Sequence, residues 1–93
     1  MNTQDLAAAL AARTGLTRTA AEDTVSTLLD LIATEVTDGE KVTLPRFGVF
    51  EARHRAARAG RDPRTGEPIT VAERRVPVFR PSNAFRERVD GRP

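Results

Sequence analysis

The chain has 93 residues, no cysteine, 39% hydrophobic residues and a formal net charge of +2. That length allows one small domain with a limited core, and without thiols there is no disulfide staple, so a partner subunit and a reducing, intracellular setting are expected. No apolar run nears the roughly 20 residues of a bilayer span and no N-terminal segment is built like a secretory signal, so no membrane association is expected.

In chain order, Thr3 can cap a first helix in which Leu6, Ala7, Leu10 and Ala11 recur at helical spacing, ending at Thr14-Gly15. Thr17 can cap a second, where Ala21, Val25, Leu28, Leu29, Ile32 and Val36 form one apolar stripe before Asp38-Gly39 stops it. An antiparallel helix pair is predicted. Lys41-Val42-Thr43-Leu44 has the look of a short strand, Pro45 interrupts it, and Phe47-Gly48-Val49-Phe50 begins a second strand, with Gly48 admitting a close neighbour. That strand continues through Arg53 and Arg55 into a long hairpin arm, and Ile69 to Phe79 returns, Pro77 marking an edge or a break. Pro81-Ser82 opens a third helix that carries Ala84, Phe85 and Val89 inward. The class is α+β, in the order α-α-β-β-β-α.

Charge is segregated along this order. Residues 1–45 hold three basic groups against seven acidic ones, whereas residues 46–80 hold nine arginines against four acids. Fourteen of the fifteen basic residues are arginine, whose guanidinium forks onto phosphates and fits narrow grooves. The middle third is therefore expected to meet a polyanion. Within it, Gly60-Arg61-Asp62-Pro63-Arg64-Thr65-Gly66-Glu67 reads as a hairpin tip. Asp62 and Pro63 suit the first two positions of a tight turn, with Gly60 and Gly66 relaxing the backbone on either side. A rigid, apolar proline with no amide hydrogen, held by arginines against a duplex, can slide between base pairs and kink them. Large apolar side chains are nearly absent from residues 53–68, so little offsets the roughly 1 to 2 kcal/mol per residue of backbone ordering, and the arm is predicted to be mobile when free. Arginine spacing changes from two to three after Arg55, which a flat strand cannot keep on one face; a twist or bulge is predicted.

Other chemistries fit poorly. The helical half resembles a helix-turn-helix, but from Thr17 to Val36 it sets Arg18 alone against Glu22, Asp23, Asp30 and Glu35, the wrong sign for a major groove. With no cysteine, one histidine (His54) among arginines and no nucleotide-binding glycine loop, neither catalysis, nor a metal site, nor a cofactor is expected. Four phenylalanines without tryptophan or tyrosine give no stacking platform for single strands; Phe47, Phe50, Phe79 and Phe85 are read as core. An interaction domain whose arm grips an acidic protein is the remaining alternative.

The runs Leu44-Pro45-Arg46-Phe47-Gly48-Val49-Phe50, Arg55-Ala56-Ala57-Arg58, Gly60 to Gly66 and Phe79-Arg80-Pro81 resemble the HU / integration host factor family over essentially the whole chain. The resemblance implies an intertwined dimer with a helical base and two β-arms that wrap duplex DNA, each arm's Pro63 intercalating and bending it. It implies a single domain over 1–93: a helical dimerisation base and first strand (1–45), sheet and arm with the tip near 60–67 (46–80), and a C-terminal helix and tail (81–93). Arg46, Arg53, Arg55, Arg58, Arg61, Arg64, Arg80 and Arg86 are the implied DNA contacts, and Leu29, Ile32, Leu44, Phe47, Phe50 and Phe79 the implied dimer core. Departures occur at Asp62, where asparagine is usual, at Thr3 and Asn83, where many members have lysine, and at Ser82, where glycine is common. The arm base His54-Arg55-Ala56-Ala57-Arg58 is HU-like, while Glu73-Arg74-Arg75-Val76 and Phe79-Arg80-Pro81 lean towards an integration host factor subunit. The first implies a largely sequence-independent, nucleoid-associated cytoplasmic protein, the second a site-preferring one. Either way the partners are double-stranded DNA, with bent, nicked or gapped duplex preferred, and an identical or related subunit.

Overall fold

The computed structural model describes residues 1–91; Arg92 and Pro93, in the tail, lie outside the described residues. The order is α1 (Thr3–Thr14), α2 (Arg18–Thr37), β1 (Val42–Leu44), β2 (Gly48–Arg55), β3 (Arg58–Arg61), β4 (Pro68–Val71), β5 (Arg74–Pro81) and α3 (Asn83–Asp90). Five strands stand where three were predicted, because both arm strands are interrupted at the same level.

Residues 1–35 form one compact unit and residues 36–93 a second. In the first, α1 is capped by Asn2 rather than Thr3: the Asn2 side chain accepts from the Asp5 N–H and the Asp5 carboxylate accepts from the Asn2 N–H, a reciprocal box. The expected end holds, with Gly15 at φ 76 donating to the Ala11 carbonyl. Thr17 caps α2 through its hydroxyl, which accepts from the Ala20 N–H at 3.1 Å. Only Ala7 and Ala21 are buried among the hydrophobic residues described, while Leu28, Leu29 and Leu31 are more than half exposed. A single chain leaves most of its helical apolar surface uncovered.

In the second unit, β1, β2 and β5 make an antiparallel sheet in the order β1-β2-β5. Pro77 lies on β5, an edge strand of this sheet, as its missing N–H requires. Register pairs Val42 with Phe50 and Phe50 with Phe79, so alternate residues place Phe50 and Phe79 on one face. Their rings lie 4.6 Å apart; Phe47 joins them at 5.2 Å from Phe79 and stacks on Phe85 of α3 at 5.0 Å. Ser82 caps α3 by accepting from the Phe85 N–H, which fixes that ring's helix to the sheet end.

Gly48 has the role expected of it. A Cβ there would meet the Arg80 carbonyl oxygen at 2.5 Å and the Phe79 ring at 2.6 Å. Gly48→Ala is expected to cost about 1 to 3 kcal/mol through overpacking against backbone that cannot step aside, read from urea unfolding. Gly60 differs from expectation. It is a strand residue paired with Ile69, not part of the turn, and an added Cβ would sit 3.3 Å from Val71.

The arm continues as β3 paired with β4. Arg55 pairs with Arg74 and Arg58 with Val71, so Ala56-Ala57 and Ala72-Glu73 intervene in equal number on the two strands. The predicted irregularity is therefore an interruption of the ladder without an inserted residue, rather than a bulge.

Candidate nucleic-acid interface

The tip spans Asp62 to Glu67, between the paired Arg61 and Pro68. Asp62 N–H donates to the Glu67 carbonyl at 2.9 Å, and Gly66 N–H to the Asp62 carbonyl at 2.7 Å. The turn is thus one residue wider than a four-residue β-turn, and Gly66, at φ 74, supplies the left-handed step that closes it. The Asp62 carboxylate accepts from the Arg64 N–H at 2.8 Å, and Arg61 donates from Nη1 to the Gly66 carbonyl at 2.9 Å. Asp62, the residue that departs from the usual asparagine, is thereby an internal brace with the Arg64 guanidinium 3.9 Å from its oxygen. Pro63 is exposed at the crest.

The sheet face opposite the aromatic rings is ionic. Glu51 is buried, and alternation along β2 puts Arg53 on its side while register puts Arg80 diagonally across. Arg80 forks onto it, Nε to Oε1 at 3.2 Å and Nη2 to Oε2 at 3.2 Å; Arg53 Nε donates to Oε1 at 3.3 Å and Lys41 Nζ lies 3.8 Å from Oε2. The Arg80 hydrogen bonds, followed by that of Arg53 and the nearby charges of Arg80 and Lys41, hold the Glu51 carboxyl below the usual carboxylate range against the opposing effect of desolvation. Sequence reasoning missed this residue, counting it only as one of four acids in a basic segment.

The expected contact residues fall into separate groups. Arg53 and Arg80 are drawn together on Glu51, and Arg61 and Arg64 brace the tip. Arg55 and Arg58 flank the ladder interruption, where they line an open concavity of about 560 Å³ together with His54, Ala72 and Arg74. Residues 55 and 58 would lie on opposite faces of an unbroken ladder, so the interruption brings them to one hollow. Arg46 occupies the turn between β1 and β2, where Phe47 N–H donates to the Leu44 carbonyl. Its φ of 69 is a left-handed conformation that favours glycine, and it holds an exposed arginine beyond the strand ends. Arg86 is exposed on α3. Arg75 has a structural task that sequence did not disclose, donating to the Thr37 and Val36 carbonyls at 3.1 and 3.3 Å and so capping the C-terminus of α2. His54 Nε2 lies 3.3 Å from Glu73. Among the described residues no group of three His, Asp or Glu side chains could hold a metal ion, and no helix is long and apolar enough to cross a membrane.

This architecture is that of known proteins. The sequence matches the family model described as bacterial DNA-binding protein over residues 1–90. It is 46% identical to DNA-binding protein HU of Lactococcus lactis, covering 95% of this chain and 97% of that one. It is 40% identical to the integration host factor subunit alpha of Jannaschia, covering 91% and 85%. Anabaena HU, solved in a cocrystal with DNA, superposes with a TM-score of 0.90 at 40% identity over 96% of this chain and 97% of that one. A tip-bearing cationic hairpin within an α-α-β…α order, with these relatives over more than nine-tenths of its length, places the chain in the bacterial DNA-binding protein family of HU and the integration host factor subunits.

Proposed function

We propose that the protein is an architectural DNA-binding protein that bends duplex DNA, acting as a dimer with an identical or related subunit. The observation that carries this is the closed tip. Four hydrogen bonds from the Asp62, Gly66, Arg61 and Arg64 nitrogens fix the turn, and they leave the Pro63 ring exposed at the crest with arginines on both sides. A rigid apolar wedge carried between cations can enter a base step from the minor groove, while the cations hold the backbone. Arg46, Arg55, Arg58, Arg64 and Arg86 are the contacts on the phosphates, Arg61 positions the tip, and Arg53 and Arg80 are available once they exchange Glu51 for phosphate. The exposed Leu29, with Ile32 in the helical unit and Phe47 with Leu44, Phe50 and Phe79 in the sheet unit, supply the surface that the second subunit covers.

Contacts of this kind read backbone and deformability rather than base edges, so a largely sequence-independent, HU-like role on chromosomal DNA follows. The test is a mobility shift at fixed salt with intact, nicked and gapped duplexes of one sequence. Nicked and gapped duplexes are expected to bind more tightly, since part of the roughly 1 to 6 kcal/mol bending cost is already met. Equal affinity for all three would remove the bending function. Failure to shift any of them, with retention on an acidic protein, would favour the interaction-domain alternative.

A further inference from the structure

We propose that the ladder interruption at the base of the arm is a seat for one backbone phosphate of the duplex, in which Arg74 of the return strand joins Arg55 and Arg58; this rests on the DNA-bending function proposed above. Arg55 and Arg74 are direct register partners on adjacent strands. Directly opposed like charges destabilise a strand pair, so this arrangement is unfavourable in the free protein unless an anion lies between them. None is supplied from within. The carboxylates of the neighbouring segments lie against other side chains, Glu51 against Arg53 and Arg80, Asp62 against Arg64 and Glu73 against His54, and among the described residues the Arg55, Arg58 and Arg74 side chains have no acidic partner and no hydrogen bond.

Immediately beyond this pair both strands leave the ladder. The small residues Ala56 and Ala72 there help to line the 560 Å³ hollow with the three arginines. Three guanidinium-bearing residues around one polar concavity suit a phosphodiester, which carries a delocalised charge on oxygens that guanidinium forks match. His54 also lines the hollow, its Nε2 3.3 Å from Glu73. The seat gives the arm a fixed point on the backbone below the tip, so that insertion of Pro63 has something to lever against.

The experiment is duplex affinity as a function of salt for the wild-type chain, Arg74→Ala, Arg74→Gln and the charge-matched Arg13→Ala, each with its thermal melt. Both Arg74 variants are expected to weaken binding several-fold and to flatten the log Kd against log salt slope by about 0.9 for each phosphate released, with the melting temperature unchanged or raised because a repulsion is gone. Arg13→Ala, which removes the same charge from the acidic half, is expected to keep the wild-type slope. A wild-type slope in the Arg74 variants, an equal loss in Arg13→Ala, or a slope loss accompanied by a lowered melting temperature overturns the phosphate seat alone. Absence of duplex binding by the wild-type chain overturns the DNA-bending function itself.

Discussion

Pro63→Ala is expected to straighten bound DNA far more than it weakens binding. The tip does not depend on the proline ring for its shape: the Asp62–Glu67, Gly66–Asp62 and Arg64–Asp62 hydrogen bonds involve neither the Pro63 nitrogen nor its carbonyl. Alanine therefore keeps the turn and all flanking arginines while removing the rigid ring that would occupy an opened base step. It also restores an N–H that proline lacks, a polar group unwelcome between stacked bases. Opening a step costs a few kcal/mol and is recovered through the extra backbone contact that the bend permits. Losing both sides of that balance should change affinity for intact duplex by less than about tenfold, or 1.4 kcal/mol. On a doubly end-labelled duplex at saturating protein, the variant should give transfer efficiency close to that of free DNA. A wild-type bend in Pro63→Ala would show that the crest is not the wedge.

The second large effect is expected at Glu51. Its folded carboxyl lies below the ordinary value of 4.5, chiefly because Arg80 forks onto it. A carboxylate whose folded pKa is depressed contributes stability that is complete above its unfolded value and disappears as pH falls through the lower folded one. Wild-type melting temperature should therefore be flat with respect to this group at neutral pH and fall in acid below that range. Glu51→Gln keeps the shape but leaves Arg53, Arg80 and Lys41 facing one another without a counter-charge. It should melt several degrees lower at neutral pH and show a shallower acid limb than wild type. Removing this internal competitor also frees cations for DNA, so duplex binding should become more salt-sensitive, by about 0.9 in slope per additional phosphate engaged. An acid limb as steep in Glu51→Gln as in wild type would mean that other carboxylates govern it.

Much of this was legible because it is local. Thr17, Gly15, Asp38-Gly39 and Ser82 end or cap helices through neighbours within four residues, and the Asp62-Pro63…Gly66 tip closes through its own backbone. One local signal was misassigned: Asn2 with Asp5 three residues on satisfies a capping box better than Thr3 does. What stayed hidden depends on pairing between distant segments. Glu51 reads as another charge in a basic tract until β1, β2 and β5 are in register, at which point Lys41, Arg53 and Arg80 surround it. Arg75 likewise counts as arm charge until the fold carries it to the end of α2, 38 residues away in sequence. The interruption that splits each arm strand was foreshadowed by the change in arginine spacing, but whether it would be a bulge or a gap depended on the opposite strand. The need for a partner was legible in the short chain without a disulfide, and the exposure of Leu28, Leu29 and Leu31 in a single chain agrees with it in the fold.

The wedge is tested most directly by a structure of the protein on a nicked or mismatched duplex. It should show the Pro63 ring lodged between two neighbouring base pairs, with the helix axis kinked there and the Arg55, Arg58 and Arg64 guanidinium groups on phosphates. Arms lying along an evenly stacked, straight duplex, with Pro63 in solvent, would contradict it.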